Sequence, residues 1–195
     1  IPNFPFAMRF ETLRELYLHS IDSFGPRPCF SMYGGESLTY AEVSERVNTL
    51  IDIFVHAGLN SGDKIALLSN NMVIVPILPD FSGPELDKII LHSEAKALVV
   101  SDKLFTKVSK EVISGLNLVV RSMNLGVIHQ TSDTLGSVTI PNGDDLAAII
   151  YTSGTTSSPK GVMLSHRNFC SELEMVSILQ PVYPDDVFLS ILPLT

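Results

Sequence analysis

The chain has 195 residues, 45% of them hydrophobic and 17% charged, with a formal net charge of −8 and a pI near 5.0. That apolar supply is enough to bury a core and excludes a disordered polar chain. The acidic balance and the lack of a basic run argue against nucleic acid or an anionic membrane surface as a main partner. Apolar runs such as Ile65 to Leu68 and Met72 to Leu78 fall far short of the roughly 20 residues that cross a bilayer, and no transmembrane or secretory segment is expected. Cys29 and Cys170 are the two cysteines. They lie far apart without metal-ligand spacing, which fits a reduced, cytoplasmic setting, with peripheral contact to a membrane left open.

In chain order, Leu13, Leu16, Tyr17, Ile21 and Phe24 recur at helical spacing and predict a first helix from Thr12 to Phe24, ended by Gly25-Pro26. Cys29 to Tyr33 and Glu36 to Leu38 flank Gly34-Gly35, a two-residue hairpin signal. Thr39 and Glu42 have capping-box spacing, and Val43, Val47, Leu50, Ile51 and Phe54 carry an apolar stripe to Gly58. Strands follow at Lys64 to Leu68 and Val73 to Leu78, then a helix from Pro84 to His92, a strand at Ala97 to Val100, a helix from Leu104 to Ile113 and a strand at Leu116 to Val120. Alternating strands and helices predict an α/β fold with a mostly parallel sheet flanked by helices.

From Arg121 to Gly143 the sequence turns rich in Ser, Thr, Asn and Gly and reads as a connector, with one short strand expected at Ser137 to Ile140. Beyond it come a strand at Leu146 to Ile150, a polar loop, Val162 to Leu164, a helix from Arg167 to Leu179 and a strand at Val187 to Leu192. Two units are expected: residues 1–140 as an amino-terminal α/β subdomain, and residues 141–195 as a loop-bearing segment that starts a second α/β subdomain.

The loop Tyr151-Thr152-Ser153-Gly154-Thr155-Thr156-Ser157-Ser158-Pro159-Lys160-Gly161 concentrates hydroxyls, one lysine and two glycines between two apolar runs. Gly154 allows a turn and close approach of a ligand, and successive N–H groups in such a turn form an anion-binding concavity. Thr152, Ser153, Thr155 and Thr156 add rotatable hydroxyl donors. Lys160 adds a mobile positive charge, and Pro159 stiffens its approach. A hydrogen bond to a charged phosphate oxygen is worth roughly 1.5–3 kcal/mol, so a few of them would hold a triphosphate. The order of glycine and lysine is not that of the G-x-x-x-x-G-K-S/T loop of nucleotide hydrolases.

The segment resembles the signature of the adenylate-forming (AMP-binding) superfamily, which includes acyl-CoA synthetases, luciferases and the adenylation domains of peptide synthetases. That pattern is written T-S-G-[ST]-T-G-x-P-K-G, followed by S-H. Thr152 to Thr156, Pro159, Lys160 and Gly161 match it, Ser165-His166 follows, and Ser157 stands where the family has a second glycine. Upstream, Ser37-Leu38-Thr39-Tyr40 before a helix and Gly58-Leu59-Asn60-Ser61-Gly62-Asp63-Lys64-Ile65-Ala66-Leu67-Leu68 are similar to the amino-terminal region of the same family. The segment Val187 to Leu194 looks most like that of long-chain fatty acid–CoA ligases.

The resemblance implies ATP-dependent activation of a carboxylic acid, a long-chain fatty acid foremost, to an acyl-adenylate and then an acyl-CoA. ATP, magnesium (Mg2+) and coenzyme A are the implied cosubstrates and metal. Thr152, Ser153, Gly154, Thr155, Thr156 and Lys160 are the implied phosphate-binding residues. No residue of the chain is assigned as catalytic, because the family's adenine- and ribose-binding elements and its adenylating lysine lie beyond the matched portion. The chain is therefore expected to be an amino-terminal piece with little or no catalysis of its own. His166 is read two ways, as part of this site or as a packing residue at the start of the following helix. A competing reading is a non-catalytic phosphate-binding or assembly module. Only an enzyme would support pyrophosphate exchange.

One departure stands out. After Asn70-Asn71-Met72 the family carries a crossover helix, whereas here Val73 follows directly. Parallel neighbours need a crossover of about a dozen or more residues, so a segment is expected to be deleted, lost, or disordered and left out.

Overall fold

The computed structural model describes residues 10–31, 35–66, 73–77, 80–152, 159–180, 183 and 186–188. Helix α1 (Leu13–Phe24) starts where the Thr12 side chain accepts a hydrogen bond from the Glu15 N–H. Strands β1 (Pro28–Ser31) and β2 (Ser37–Thr39) form a small antiparallel sheet with Ser31 opposite Ser37. Of the expected two-residue turn, Gly34 lies outside the described residues together with residues 32 and 33.

Thr39 closes a capping box on α2 (Tyr40–His56). Its Oγ1 accepts from the Glu42 N–H at 3.2 Å, and the Glu42 carboxylate accepts from the Thr39 N–H at 2.8 Å. The helix ends at Gly58, whose φ of +76° is the left-handed conformation that glycine adopts without penalty.

The main sheet has the order β7-β6-β5-β3-β4-β8-β9. It comprises β3 (Lys64–Ala66), β4 (Val73–Val75), β5 (Ala97–Val100), β6 (Leu118–Arg121), β7 (Val127–Gln130), β8 (Leu146–Thr152) and β9 (Lys160–Ser165). The pairs β3–β4, β3–β5, β4–β8 and β5–β6 are parallel, and the two outermost pairs, β6–β7 and β8–β9, are antiparallel. The mostly parallel α/β sheet expected from the sequence is therefore what forms.

Each face of the sheet has its own core. On one side α2 contributes Leu50 and Phe54 against Ile65, Ala97, Val99, Leu118 and Val120. On the other, α3 (Gly83–Ser93) and α5 (Lys110–Gly115) bring Leu86, Ile89, Ile90 and Val112 against Ala66, Val75, Leu98, Val119, Ile149 and Tyr151. Burying a side chain such as Phe54, which is fully inaccessible, contributes about 1.5–3 kcal/mol.

Several expectations are corrected. The helix expected over Leu104 to Ile113 is two short ones, α4 (Asp102–Phe105) and α5, because Ser101 and Ser109 each cap a new start through their side chains. The connector holds a strand at Val127–Gln130 and none at Ser137 to Ile140. There the backbone instead bonds to the end of α2 and the turn after it: Gly136 N–H to the Val55 carbonyl at 2.7 Å, and Ser61 N–H to the Ser137 carbonyl at 2.9 Å. The strand expected at Val187 to Leu192 is not formed at residues 187–188, and its remainder lies outside the described residues.

Strands β3 and β4 pair in parallel, with Lys64, Ile65 and Ala66 opposite Val73, Ile74 and Val75 and only residues 67–72 between them. The expected missing segment falls after Met72, which lies outside the described residues.

Candidate functional site

Strand β8 is an apolar run that the parallel sheet can bury, and β9 returns beside it. The hairpin keeps one register from Ala148 opposite Leu164 to Thr152 opposite Lys160, and a one-residue shift before Ala148 sets Leu146 opposite Ser165. The polar loop is thus clamped between two strands, as the flanking apolar runs imply, and it leaves from the carboxyl end of a parallel strand. In open α/β sheets that edge is where ligands bind. Of the residues implied as phosphate-binding, Thr152 and Lys160 are described and face each other directly across the hairpin mouth. Ser153, Gly154, Thr155 and Thr156 lie outside the described residues.

Alternation along the strands sorts the hairpin into two faces. Ile149 and Tyr151 enter the core packed by α3 and α5. Thr152, and Lys160 opposite it, therefore lie on the other face with Ile150 and Val162. Both Thr152 and Lys160 are exposed, and among the described residues no carboxylate pairs with Lys160. A hydroxyl and an ammonium group so placed can both donate to one anion.

Gly161 follows from the packing of the inner face. A Cβ there would sit 2.6 Å from Ile149 Cγ2 and 3.3 Å from Tyr151 Cζ. The Tyr151 ring occupies the space beside Gly161, and its hydroxyl lies 2.7 Å from His92 Nδ1 at the end of α3. Burial pushes the Tyr151 phenol above its ordinary pKa, which keeps it protonated and able to donate. His92 carries no sequence signal of this role. It is 59 positions from Tyr151, and only the fold brings the two together.

The Ser165-His166 pair lies at the far end of the hairpin, across from Leu146. A strand rises about 3.3 Å per residue, so His166 stands well away from the loop. Ser165 caps helix α6 (His166–Leu179), its Oγ accepting from the Asn168 N–H at 3.3 Å while Asn168 Oδ1 accepts from the Ser165 N–H at 2.9 Å. His166 is buried, and its Nδ1 accepts from the Leu13 N–H at 3.4 Å, tying α6 to α1. Burial lowers the His166 pKa, opposed by the nearby Asp145 carboxylate. Of the two readings of His166, the packing one holds.

Arg167 fastens the same end. Its Nε donates to Asp144 Oδ1 at 2.8 Å, and its backbone N–H donates to the Gly143 carbonyl at 2.7 Å. The guanidinium holds the Asp144 carboxyl below its usual range. A cavity of about 300 Å³ lined by Ser61, Thr139, Asp145 and His166 belongs to this end, remote from the loop. Among the described residues no three His, Cys, Asp or Glu side chains cluster as metal ligands, and no helix is long and apolar enough to cross a membrane.

Residues 68–195 match the sequence profile of the family described as AMP-binding enzyme. A crotonobetaine/carnitine–CoA ligase of Proteus mirabilis is 28% identical over 80% of this chain and 36% of its own length. Surfactin synthase subunit 2 of Bacillus subtilis is 27% identical over 82% of this chain and 5% of its own. A solved long-chain fatty acid–CoA ligase of Archaeoglobus fulgidus superposes with a TM-score of 0.67 at 25% identity, covering 90% of this chain and 41% of that one. The chain spans at most 36% of the length of the first curated relatives it matches.

Proposed function

The chain belongs to the AMP-binding enzyme family, and we propose that it is the amino-terminal part of an acid–thiol ligase that activates a carboxylic acid with ATP, a long-chain fatty acid foremost. In this reading one oxygen of the carboxylate attacks the α-phosphorus of ATP, and the bond to the bridging oxygen breaks to release pyrophosphate. The coenzyme A thiol, losing its proton, then forms a bond to the acyl carbon and displaces AMP. Thr152, Ser153, Gly154, Thr155, Thr156 and Lys160 hold the β- and γ-phosphates, orient the nucleotide for in-line attack and stabilise the leaving pyrophosphate.

The observation that carries this is the hairpin register. It sets a threonine hydroxyl opposite a lysine at the mouth of a loop whose sequence follows the adenylate-forming signature. Magnesium would accompany the nucleotide and offset the charge of its phosphates. Residues 1–140 form the amino-terminal subdomain and residues 141–195 begin the next, with β4–β8 pairing carrying one sheet across that boundary. A cytoplasmic location with small-molecule partners and no nucleic acid completes the proposal.

The range of relatives, from CoA ligases to peptide synthetases, makes the acid the feature to test. Full-length protein supplied with magnesium, ATP, labelled pyrophosphate and a panel of fatty acids is expected to exchange label into ATP with at least one long-chain acid. ATP binding without exchange for any acid would favour a non-catalytic nucleotide-binding module. Absence of ATP binding would sink both.

A further inference from the structure

The phosphate loop can grip an anion only if its two limbs are held at a fixed separation. Thr152 and Lys160 are the last cross-strand pair before the loop, so whatever holds their neighbours sets the width of the mouth. One step inside, Tyr151 faces Gly161, with its ring against the glycine and only 6% of its surface exposed. The ring therefore touches both limbs. Its hydroxyl reaches away from the hairpin to His92 Nδ1 at 2.7 Å, and the two rings meet edge to face, 5.7 Å apart at 85°.

His92 sits in the last turn of α3, an element anchored in the core through Leu86, Ile89 and Ile90. The bond thus ties the hairpin mouth to a rigid helix that is not part of the loop. The phenol can donate to the Nδ1 lone pair or accept from an Nδ1–H, so the contact is a hydrogen bond in either tautomer.

We propose that the Tyr151–His92 hydrogen bond is a clasp that fixes the mouth of the phosphate loop, and that His92 is a positioning residue for ATP acting through Tyr151 without touching the nucleotide. This rests on the phosphate-binding reading of the loop. Without the clasp the backbone ladder still forms, but its last pair, Thr152 and Lys160, frays and must be fixed at a cost when the nucleotide binds. Affinity for the nucleotide should then fall by about fivefold, the worth of one hydrogen bond of ordinary strength.

The test uses full-length protein in five forms: wild type, Tyr151→Phe, His92→Ala, His92→Gln and Lys160→Ala. Two measurements are made, the dissociation constant for magnesium–ATP by calorimetry and amide hydrogen exchange of the protein without nucleotide. Tyr151→Phe and His92→Ala are expected to weaken ATP binding about fivefold. They should also speed exchange at Thr152 and Lys160 while leaving Leu146 and Ser165 unchanged. His92→Gln, whose amide can still meet the phenol, is expected to restore both. In turnover assays KM for ATP should rise while KM for the acid and kcat hold.

Unchanged exchange at Thr152 and Lys160 in both clasp variants overturns the proposal, and so does equal acceleration at both ends of the hairpin, which marks general destabilisation. If Lys160→Ala weakens ATP binding and the clasp variants do not, the clasp fails while the phosphate-binding reading stands. If the wild type has no affinity for ATP, that reading and the positioning role fall together. The exchange data would then report a structural bond alone.

Discussion

At the scale of single residues, the hairpin separates chemistry from packing by the alternation of its side chains. Lys160 is exposed and among the described residues has no carboxylate partner, so its replacement removes a donor without opening the core. In full-length protein, Lys160→Ala is expected to slow ATP-dependent pyrophosphate exchange at least about tenfold, the lower end of what a charged hydrogen bond is worth. The midpoint of thermal unfolding should stay within a degree or two, as surface substitutions usually leave it. Equal losses of activity and stability would contradict this.

Gly161, the neighbouring residue, is the opposite case. Its missing Cβ is the space taken by Ile149 and Tyr151. Gly161→Ala is expected to cost about 1–3 kcal/mol through overpacking, read as a lower urea midpoint. A midpoint equal to wild type would mean that the two strands can part freely.

At the scale of elements, caps decide where helices begin. The Ser165-His166 pair, which resembles part of a functional signature, serves here to start α6 and join it to α1. Ser165→Ala removes the cap and should cost about 1 kcal/mol of stability, while ATP affinity stays at the wild-type value. Loss of affinity without loss of stability would return Ser165 to the binding site. The same capping logic explains the split of the expected helix after Leu104. Ser109 caps α5 and its backbone N–H reaches the Asp87 carboxylate on α3 at 3.1 Å, a contact no local pattern announces.

At the scale of the whole molecule, stability should depend on pH through His166. The imidazole is buried between α1 and the start of α6, and its folded-state pKa is depressed below 6.5 mainly by burial. The unfolded chain therefore takes up a proton at a pH where the folded chain does not. Stability from this group is complete above 6.5 and declines as the pH falls below that value. The depressed carboxyls of Glu42 and Glu85, held low by hydrogen bonds from Thr39 and Ser82, act in the same direction but below the ordinary glutamate value of 4.5. Urea midpoints are thus expected to fall between pH 7 and pH 5.5, and His166→Asn should flatten that slope. An unchanged slope would place the pH dependence elsewhere.

The sequence by itself determined what depends on near neighbours in the chain. Helical stripes and capping residues placed α1, α2 and α3, apolar runs placed β5 and β8, and the ordered match from Thr152 to Gly161 marked the loop proposed to bind phosphate. Tertiary structure decided what depends on partners far along the chain. It gave the strand order, and it gave β7 as an edge strand whose half-exposed residues leave little pattern to read. It also gave the assignment of His166 to packing and the meeting of His92 with Tyr151. Local periodicity reports which face of an element is apolar, but not which element will cover it. Only the folded sheet brings residues 59 positions apart within one hydrogen bond.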